Sequence, residues 1–488
     1  MNTASLPFQL LFAFLKIAIM VGFLFNVGAL LTWVDRRQSA MIQDRIGPNR
    51  AVIKIPFLNI ELRVLGLIHT AADGLKFFFK EDFIPPNADK LLFGLAPILA
   101  MAPVLALIAV IPFGDVLDLN SIRKFACVGA DGHLLNLDHG QCLDAARRVV
   151  DGVTPSAYYP AVPRFGTPAN AGGPVELIVA PLSVGVLYVF ALAGQGIVGA
   201  AIAGWSSDNK FSLMGALRAA SQMVSYEVAM GLSLVGAMML YGTVRLDDMV
   251  RWQGENCWGI FTQPLAFFLF FIAAVAESKR IPFDLPEAES ELVSGYFTEY
   301  SGMKFGMFYF AEYMEVATSS MLLVTIFLGG WQLPFIHRDG LSIEFGTLSI
   351  FHTVMPHIWV TILQVLTFFG KVLAVCSFQA FVRWSLPRFR YDQLMKIGWR
   401  VLLPLSLANI FVTGCLLLGV MNASFAVQAG LKIAADVTQG LVALAITSAV
   451  IALAFGMLKP RAKSTWIVGS SAHRADLVGG TKETAMQA

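Results

Sequence analysis

Charge is scarce in this chain. Of its 488 residues only 14% are Asp, Glu, Lys or Arg, against about a quarter in soluble globular domains, which excludes an ordinary soluble domain. Cysteine is scarcer, five in all, and no CxxC pair or Cys/His cluster occurs, so the sequence holds no ligand set for zinc or an iron–sulfur cluster. The formal net charge of +2 is too small to argue for a nucleic-acid partner. A cleavable signal is also missing: the first apolar run is long enough to span a bilayer, with no basic flank before it and no small-residue cleavage site after it. No internal repeat is evident, which counts against an autonomous transporter built from inverted repeats.

What is abundant is apolar sequence, 56% of the residues at a mean hydropathy of +0.67. Runs long enough to span lie at about 8–33, 92–113, 175–203, 222–242, 261–277, 305–330, 357–382, 400–421 and 436–458. The expectation is an all-α polytopic membrane protein with about nine transmembrane helices and polar cytoplasmic loops. Basic residues crowd the connections 34–91, 204–221, 278–304 and 383–399 and the tail after Met457. The positive-inside rule then places the N-terminus outside and the C-terminus inside. Four divisions follow: residues 1–113 with the first two spans, a periplasmic insertion over 114–174, a core bundle over 175–421, and an added helix and tail over 422–488.

The few acids are not spread evenly. Eight of them, Glu277, Asp284, Glu287, Glu289, Glu291, Glu299, Glu312 and Glu315, fall within one stretch, AESKRIPFDLPEAESELVSGYFTEYSGMKFGMFYFAEYME, between two apolar runs. Ionisable groups at membrane depth are costly and mark functional sites. Pro282 turns the chain. Asp284-Leu285-Pro286-Glu287 has the form of an N-cap with proline in the first turn and a capping-box carboxylate, so a helix is predicted from near Leu285. Glu287 and Glu291 would share one of its faces, as Glu312 and Glu315 share a face of the next helix. Like charges so placed cannot all be ionised, and some hold protons near neutral pH.

Other polar motifs belong to the same predicted side. Asp35, Arg36 and Arg37 follow the first span, with Arg45 and Arg50 flanking a Gly47-Pro48-Asn49 turn; Arg36 and Arg37 read equally as topology anchors. Asp73, Lys76 and Lys80 surround Phe77-Phe78-Phe79, a pattern for an amphipathic helix at the membrane surface. Glu227 lies inside the fourth span, in LRAASQMVSYEVAMGL, and PRFRYDQLMKIGW supplies Arg388. Lys371 is a candidate counter-ion for an intramembrane acid, while Lys16 reads as snorkelling. In the insertion Cys127 and Cys142 can pair if that segment faces an oxidising compartment. Cys376 and Cys415 read as core thiols.

DRRQSAMIQDRIGPNR, AADGLKFFFKED, LRAASQMVSYEV, AESKRIPFDLPEAESELVSGYFTEYSGMKF, FYFAEY and PRFRYDQLMKIGW together resemble the quinone-channel membrane subunit of respiratory complex I, the H subunit of bacterial NADH:quinone oxidoreductases. The resemblance runs from the first span to about Leu418 and omits the insertion and the last span. It implies a tunnel for ubiquinone or menaquinone, shaped by Arg36, Arg37, Arg45, Asp73, Arg280 and Arg388. It also implies a proton relay through Glu227, Glu277, Asp284, Glu287, Glu289, Glu291, Glu299 and Glu312. The implied partners are a hydrophilic arm carrying NADH, FMN and iron–sulfur clusters, and small and antiporter-like membrane subunits, with no cofactor bound covalently to this chain. Departures from the family are Asp35 where glutamate is usual, extra residues before Ala71, and His69 where glutamine is common. Related subunits of membrane-bound hydrogenases and formate hydrogenlyases are an alternative, as is an ion transporter or a plain scaffold.

Overall fold

In the computed structural model the described residues are 5–45, 47–48, 51, 53–55, 60–62, 66–118, 127–128, 134–135, 174–286, 292–337, 340–345, 348–354, 357–422 and 425–458. Cys142, and with it the predicted Cys127–Cys142 pair, lies outside the described residues, as do Glu287, Glu289 and Glu291. The nine apolar runs each fall on a helix: α1 (Ser5–Ile42), α3 (Lys90–Leu107), α4 (Gly185–Ser206), α5 (Lys210–Tyr241), α7 (Pro264–Glu277), α8 (Gly302–Phe327), α9 (His357–Ser385), α10 (Tyr391–Met421) and α11 (Phe425–Leu458). Two shorter helices, α2 (Ile68–Phe79) and α6 (Leu246–Glu255), lie in connections. Among the described residues seven helices are long and apolar enough to cross a membrane, and the apolar segments Pro264–Glu277 and Ala434–Ser448 are shorter. From Gly440 onward the chain forms a second compact unit, which includes the end of α11.

Strands, which the sequence did not suggest, are confined to connections. β1 (Ile53–Ile55) pairs antiparallel with β2 (Ile60–Leu62), and β3 (Val116–Asp118) with β6 (Pro174–Glu176), closing the stem of the insertion. Between them β4 (Cys127–Val128) pairs with β5 (Leu134–Leu135). A three-stranded sheet, Ile336–His337, Gly340–Phe345 and Leu348–Val354, precedes α9.

Helix ends follow local chemistry. Asp89 caps α3 by accepting from the Leu91 and Leu92 amides, and Asn209 caps α5 through the Phe211 amide. Gly242, in the left-handed region, closes α5. α8 is the central element, with 83% of its most apolar window buried. Its outer carbonyls would be orphaned. The Lys371 amine from α9 donates to the carbonyls of Leu328 (2.7 Å), Gly330 (3.1 Å) and Gln332 (2.7 Å) and lies over the Trp258 ring. Lys371 is thus a cap for a helix end rather than a counter-ion for a carboxylate. Lys16, at the same end of the bundle, donates to the carbonyls of Glu176 and Ile178, at the end of β6 and just after it. Of the two thiols expected in the core, Cys376 is buried but Cys415 faces outward.

Close helix approach depends on small residues, as expected where packing rather than hydrophobic transfer drives association. A Cβ on Gly199 would stand 2.7 Å from the Ala100 amide, so α3 and α4 touch backbone to backbone. One on Gly215 of α5 would stand 2.7 Å from Gly295, which brings the 295–297 turn, and with it Tyr296, into the bundle.

Candidate functional site

The last turns of α1 carry Asp35 into the interior, where the carboxylate is an electrostatic hub. Its Oδ2 accepts from Arg280 (3.0 Å), Arg383 (2.5 Å) and the Tyr313 hydroxyl (2.9 Å). The Arg280 guanidinium also stacks 3.7 Å from the centre of the Tyr313 ring, and Tyr313 exchanges a hydrogen bond with Tyr309. With its neighbouring acids, this arrangement raises the Arg280 value above the arginine range despite burial. Beside the hub opens a cavity of about 480 Å³, lined by Arg36, Arg45, His69, Tyr309, Arg383 and Trp384, with Asp35 itself in the wall. His69 accepts from the Ala51 amide and Arg45 donates to Ser39, so the turn after α1 is held against the start of α2. Phe78 and Phe79 of α2 are largely exposed, as the amphipathic pattern predicts.

The first part of the acidic connection, residues 278–285, does not lie on the surface. α7 has only 14 residues, roughly 21 Å of helix against a hydrocarbon core of about 30 Å. Its end at Glu277 therefore falls inside the bundle, and Ser278, Lys279, Arg280, Phe283, Asp284 and Leu285 are all buried. Gln222 of α5 fixes this segment, its amide donating to the carbonyls of Ala276 and Phe283, both at 2.8 Å. Residues 281–286 form turns and Leu292 is helical, with the predicted helix between them outside the described residues; Asp284 accepts from Arg388 (2.6 Å). Burial pushes the Asp284 carboxyl up to about 6, with Arg388 pulling part of the way back.

Deeper in, Glu312 accepts from the Tyr296 hydroxyl (3.0 Å) and Glu315 pairs with Lys279 (3.5 Å). Glu277, Lys279, Tyr296 and Glu315 share a second cavity of about 40 Å³ with apolar residues of α3 and α4. Glu227 faces Gly194 of α4 and acts electrostatically on Glu277. Neighbouring groups thus interact from the Asp35 cavity through Arg280, Asp284 and Glu312 to Glu315, Glu277 and Glu227.

Three predicted site residues, Glu299, Asp73 and Arg37, stand apart from that path. Glu299 accepts from Asn209 (2.6 Å) at the start of α5. Asp73 pairs at 2.5 Å with Arg36, which itself lines the Asp35 cavity. Arg37 packs beside Gly47, whose φ of +82° sets the turn that follows α1.

The family profile described as NADH dehydrogenase matches residues 15–131 and 153–414. An H subunit of the NADH-quinone oxidoreductase of Cytophaga hutchinsonii is 40% identical over 388 residues, covering 79% of this chain and 91% of its own. An H subunit from Geobacter metallireducens is 40% identical over 403 residues (83% and 95%), and the one from Thermomicrobium roseum is 39% identical over 417 residues (83% and 96%). The chain belongs to the NADH dehydrogenase family, among the H subunits of NADH-quinone oxidoreductase. It is therefore a multi-pass membrane component of a multisubunit enzyme.

Within this H-subunit frame, sequence reasoning passed over Asp35, Lys279, Tyr296, Tyr313 and Arg383 as site residues. Asp35 was visible only as a shortened side chain in Asp-Arg-Arg. Its partners lie 245 and 348 residues away, and no local signal announces them. Lys279 was legible in principle, as a lysine two residues from a glutamate that ends an apolar run.

Proposed function

We propose that the cavity of about 480 Å³ beside Asp35 receives the head group of ubiquinone or menaquinone, and that the buried carboxylates form a relay coupling quinone reduction to proton translocation. The observation that carries this reading is the enclosure of the acids: Asp284 and Glu312 are buried, Glu277 and Glu315 face an internal cavity, and their electrostatic interactions are continuous with the Asp35 hub. Acids bathed in open water would trade protons with solvent instead. Quinone reduction consumes two electrons and two protons. The electrons come from iron–sulfur clusters of a hydrophilic arm fed by NADH through FMN. The protons, and the charge change that accompanies them, alter the protonation of Asp284 and the acids beyond it. Coupled titration passes that change along the membrane toward antiporter-like subunits. The end of the bundle that bears these groups is cytoplasmic, which puts the N-terminus in the periplasm and the C-terminus in the cytoplasm.

Glu287, Glu289 and Glu291 extend the relay in this reading, and Arg36, Arg37, Arg45, Asp73 and Arg388 shape the tunnel mouth and its contact with the arm. Glu227→Gln tests the reading directly. The variant complex assembles but loses most of its coupled quinone reductase activity; wild-type turnover and proton pumping in it would refute the relay.

A further inference from the structure

Lys279 follows α7 by two residues, in the left-handed backbone region at φ 55°, where a non-glycine residue is uncommon and invites a functional question. That turn sends its side chain inward, leaving it 8% exposed. The amine lies 3.5 Å from Glu315 and 5.7 Å from the centre of the Tyr296 ring, and it acts electrostatically on Glu277 as well as Glu315. The groups around it are Glu277 from α7, Glu312 and Glu315 from α8, and Tyr296 from the 295–297 turn. Glu227 of α5 stands behind Glu277, while Arg280, next in sequence to Lys279, donates to Asp35 and acts on Glu315 only as a weaker charge than Lys279. One lysine thus serves two acids, Glu277 and Glu315, across a cavity of about 40 Å³ that both of them and the lysine itself wall.

We propose that Lys279 is the counter-charge that decides which of Glu277 and Glu315 is ionised, and so where the relay holds its negative charge. This rests on the relay reading above. A carboxylate in a poor dielectric is strongly disfavoured without a cation nearby. With a single ammonium available, one acid of the pair ionises and the other keeps its proton. The lysine stem is flexible and its charge compact, so a small swing of the amine across the shared cavity transfers the preference from one acid to the other. Lys279 is a positioning residue, since it acts through the two carboxylates and touches no substrate.

The test uses the assembled complex in membrane vesicles, with NADH-driven quinone reduction and protons translocated per NADH followed across pH, in Lys279→Met, Lys279→Arg and Glu277→Gln. Lys279→Met is expected to lose about tenfold in coupled turnover near neutral pH and to move the pH profile alkaline by about one unit, because ionising an acid without its counter-ion is harder. Lys279→Arg, which keeps the charge, is expected to retain the original profile and at least half of the turnover. Lys279→Met with wild-type turnover and profile would overturn the proposal; so would equal losses in the Met and Arg variants with no shift of profile, the signature of a mere tether between the 278–280 turn and α8. Should Lys279→Met fail to assemble, the pair Lys279→Met with Glu315→Gln removes both charges, and an unshifted profile there overturns the proposal as well. If Glu277→Gln pumps normally, the relay itself falls. If it does not pump while Lys279→Met does, only the assignment of Lys279 falls.

Discussion

Both ends of the bundle bury charge, and they do so differently. At the end opposite the acidic connection, Arg245 meets Asp247 (2.6 Å) and Glu176 (3.5 Å), while Arg251 meets Asp115 (3.7 Å), Asp247 (3.8 Å) and Asp248 (3.6 Å). Lys16 and Lys371 hold backbone carbonyls there. These groups pin the stem of the insertion and the end of α8 to α6 and α9, and none of them lines the cavities described above. At the acidic end, Asp35 and Arg383 line one cavity and Glu277, Lys279 and Glu315 line another. Charge packed away from open space holds a structure together. Charge next to open space can change its protonation state.

The contrast predicts effects of different kinds. The largest is at Asp35. Asp35→Ala leaves two largely buried guanidiniums without their anion, at a cost of about 3–5 kcal/mol, and the chain is expected to disappear from isolated membranes on immunoblots, while Asp35→Glu keeps both pairs and much of the quinone reductase activity. Next comes the opposite end. Asp247→Asn weakens a partly exposed network and is expected to lower complex content by an amount consistent with about 1–3 kcal/mol, with protons per NADH unchanged in what assembles; a changed ratio would erase the distinction drawn here between the two ends.

A smaller effect concerns pH. Asp284 titrates at about 6 when folded against 3.8 in the free side chain, so the folded state binds the extra proton between those values. The stability this contributes is complete below 3.8 and is lost as pH rises through about 6. Thermal inactivation of the purified complex compared at pH 5 and pH 7 is expected to show that loss in the wild type and to show less of it in Asp284→Asn. Least of all, Arg36→Ala removes an ion pair whose side chains are 45% and 36% exposed. It is expected to change stability by under about 1 kcal/mol and to register mainly as a raised KM for quinone.

The spans were legible because apolar runs need no tertiary information, and α2 was legible because amphipathic spacing is local. The acids were legible because lipid makes them conspicuous. What was not legible depended on depth and distance. The run 261–277 was the shortest of the nine, and its shortness is the reason that the following turn dips into the bundle and buries Arg280 and Asp284. The motif around Asp284 is local, but its partner Arg388 lies 104 residues on and leaves no local trace. Lys371 was read as seeking an acid, whereas the unpaired carbonyls at the end of α8 are just as strong an attraction and leave no trace in sequence.

That last contact has a mechanical side. With three carbonyls at its far end held by Lys371, α8 is a lever with a fixed pivot. From Leu328 back to Glu312 is roughly 24 Å of helix, so a tilt of about 2° carries the Glu312 carboxylate about 1 Å, enough to make or break its hydrogen bond with Tyr296.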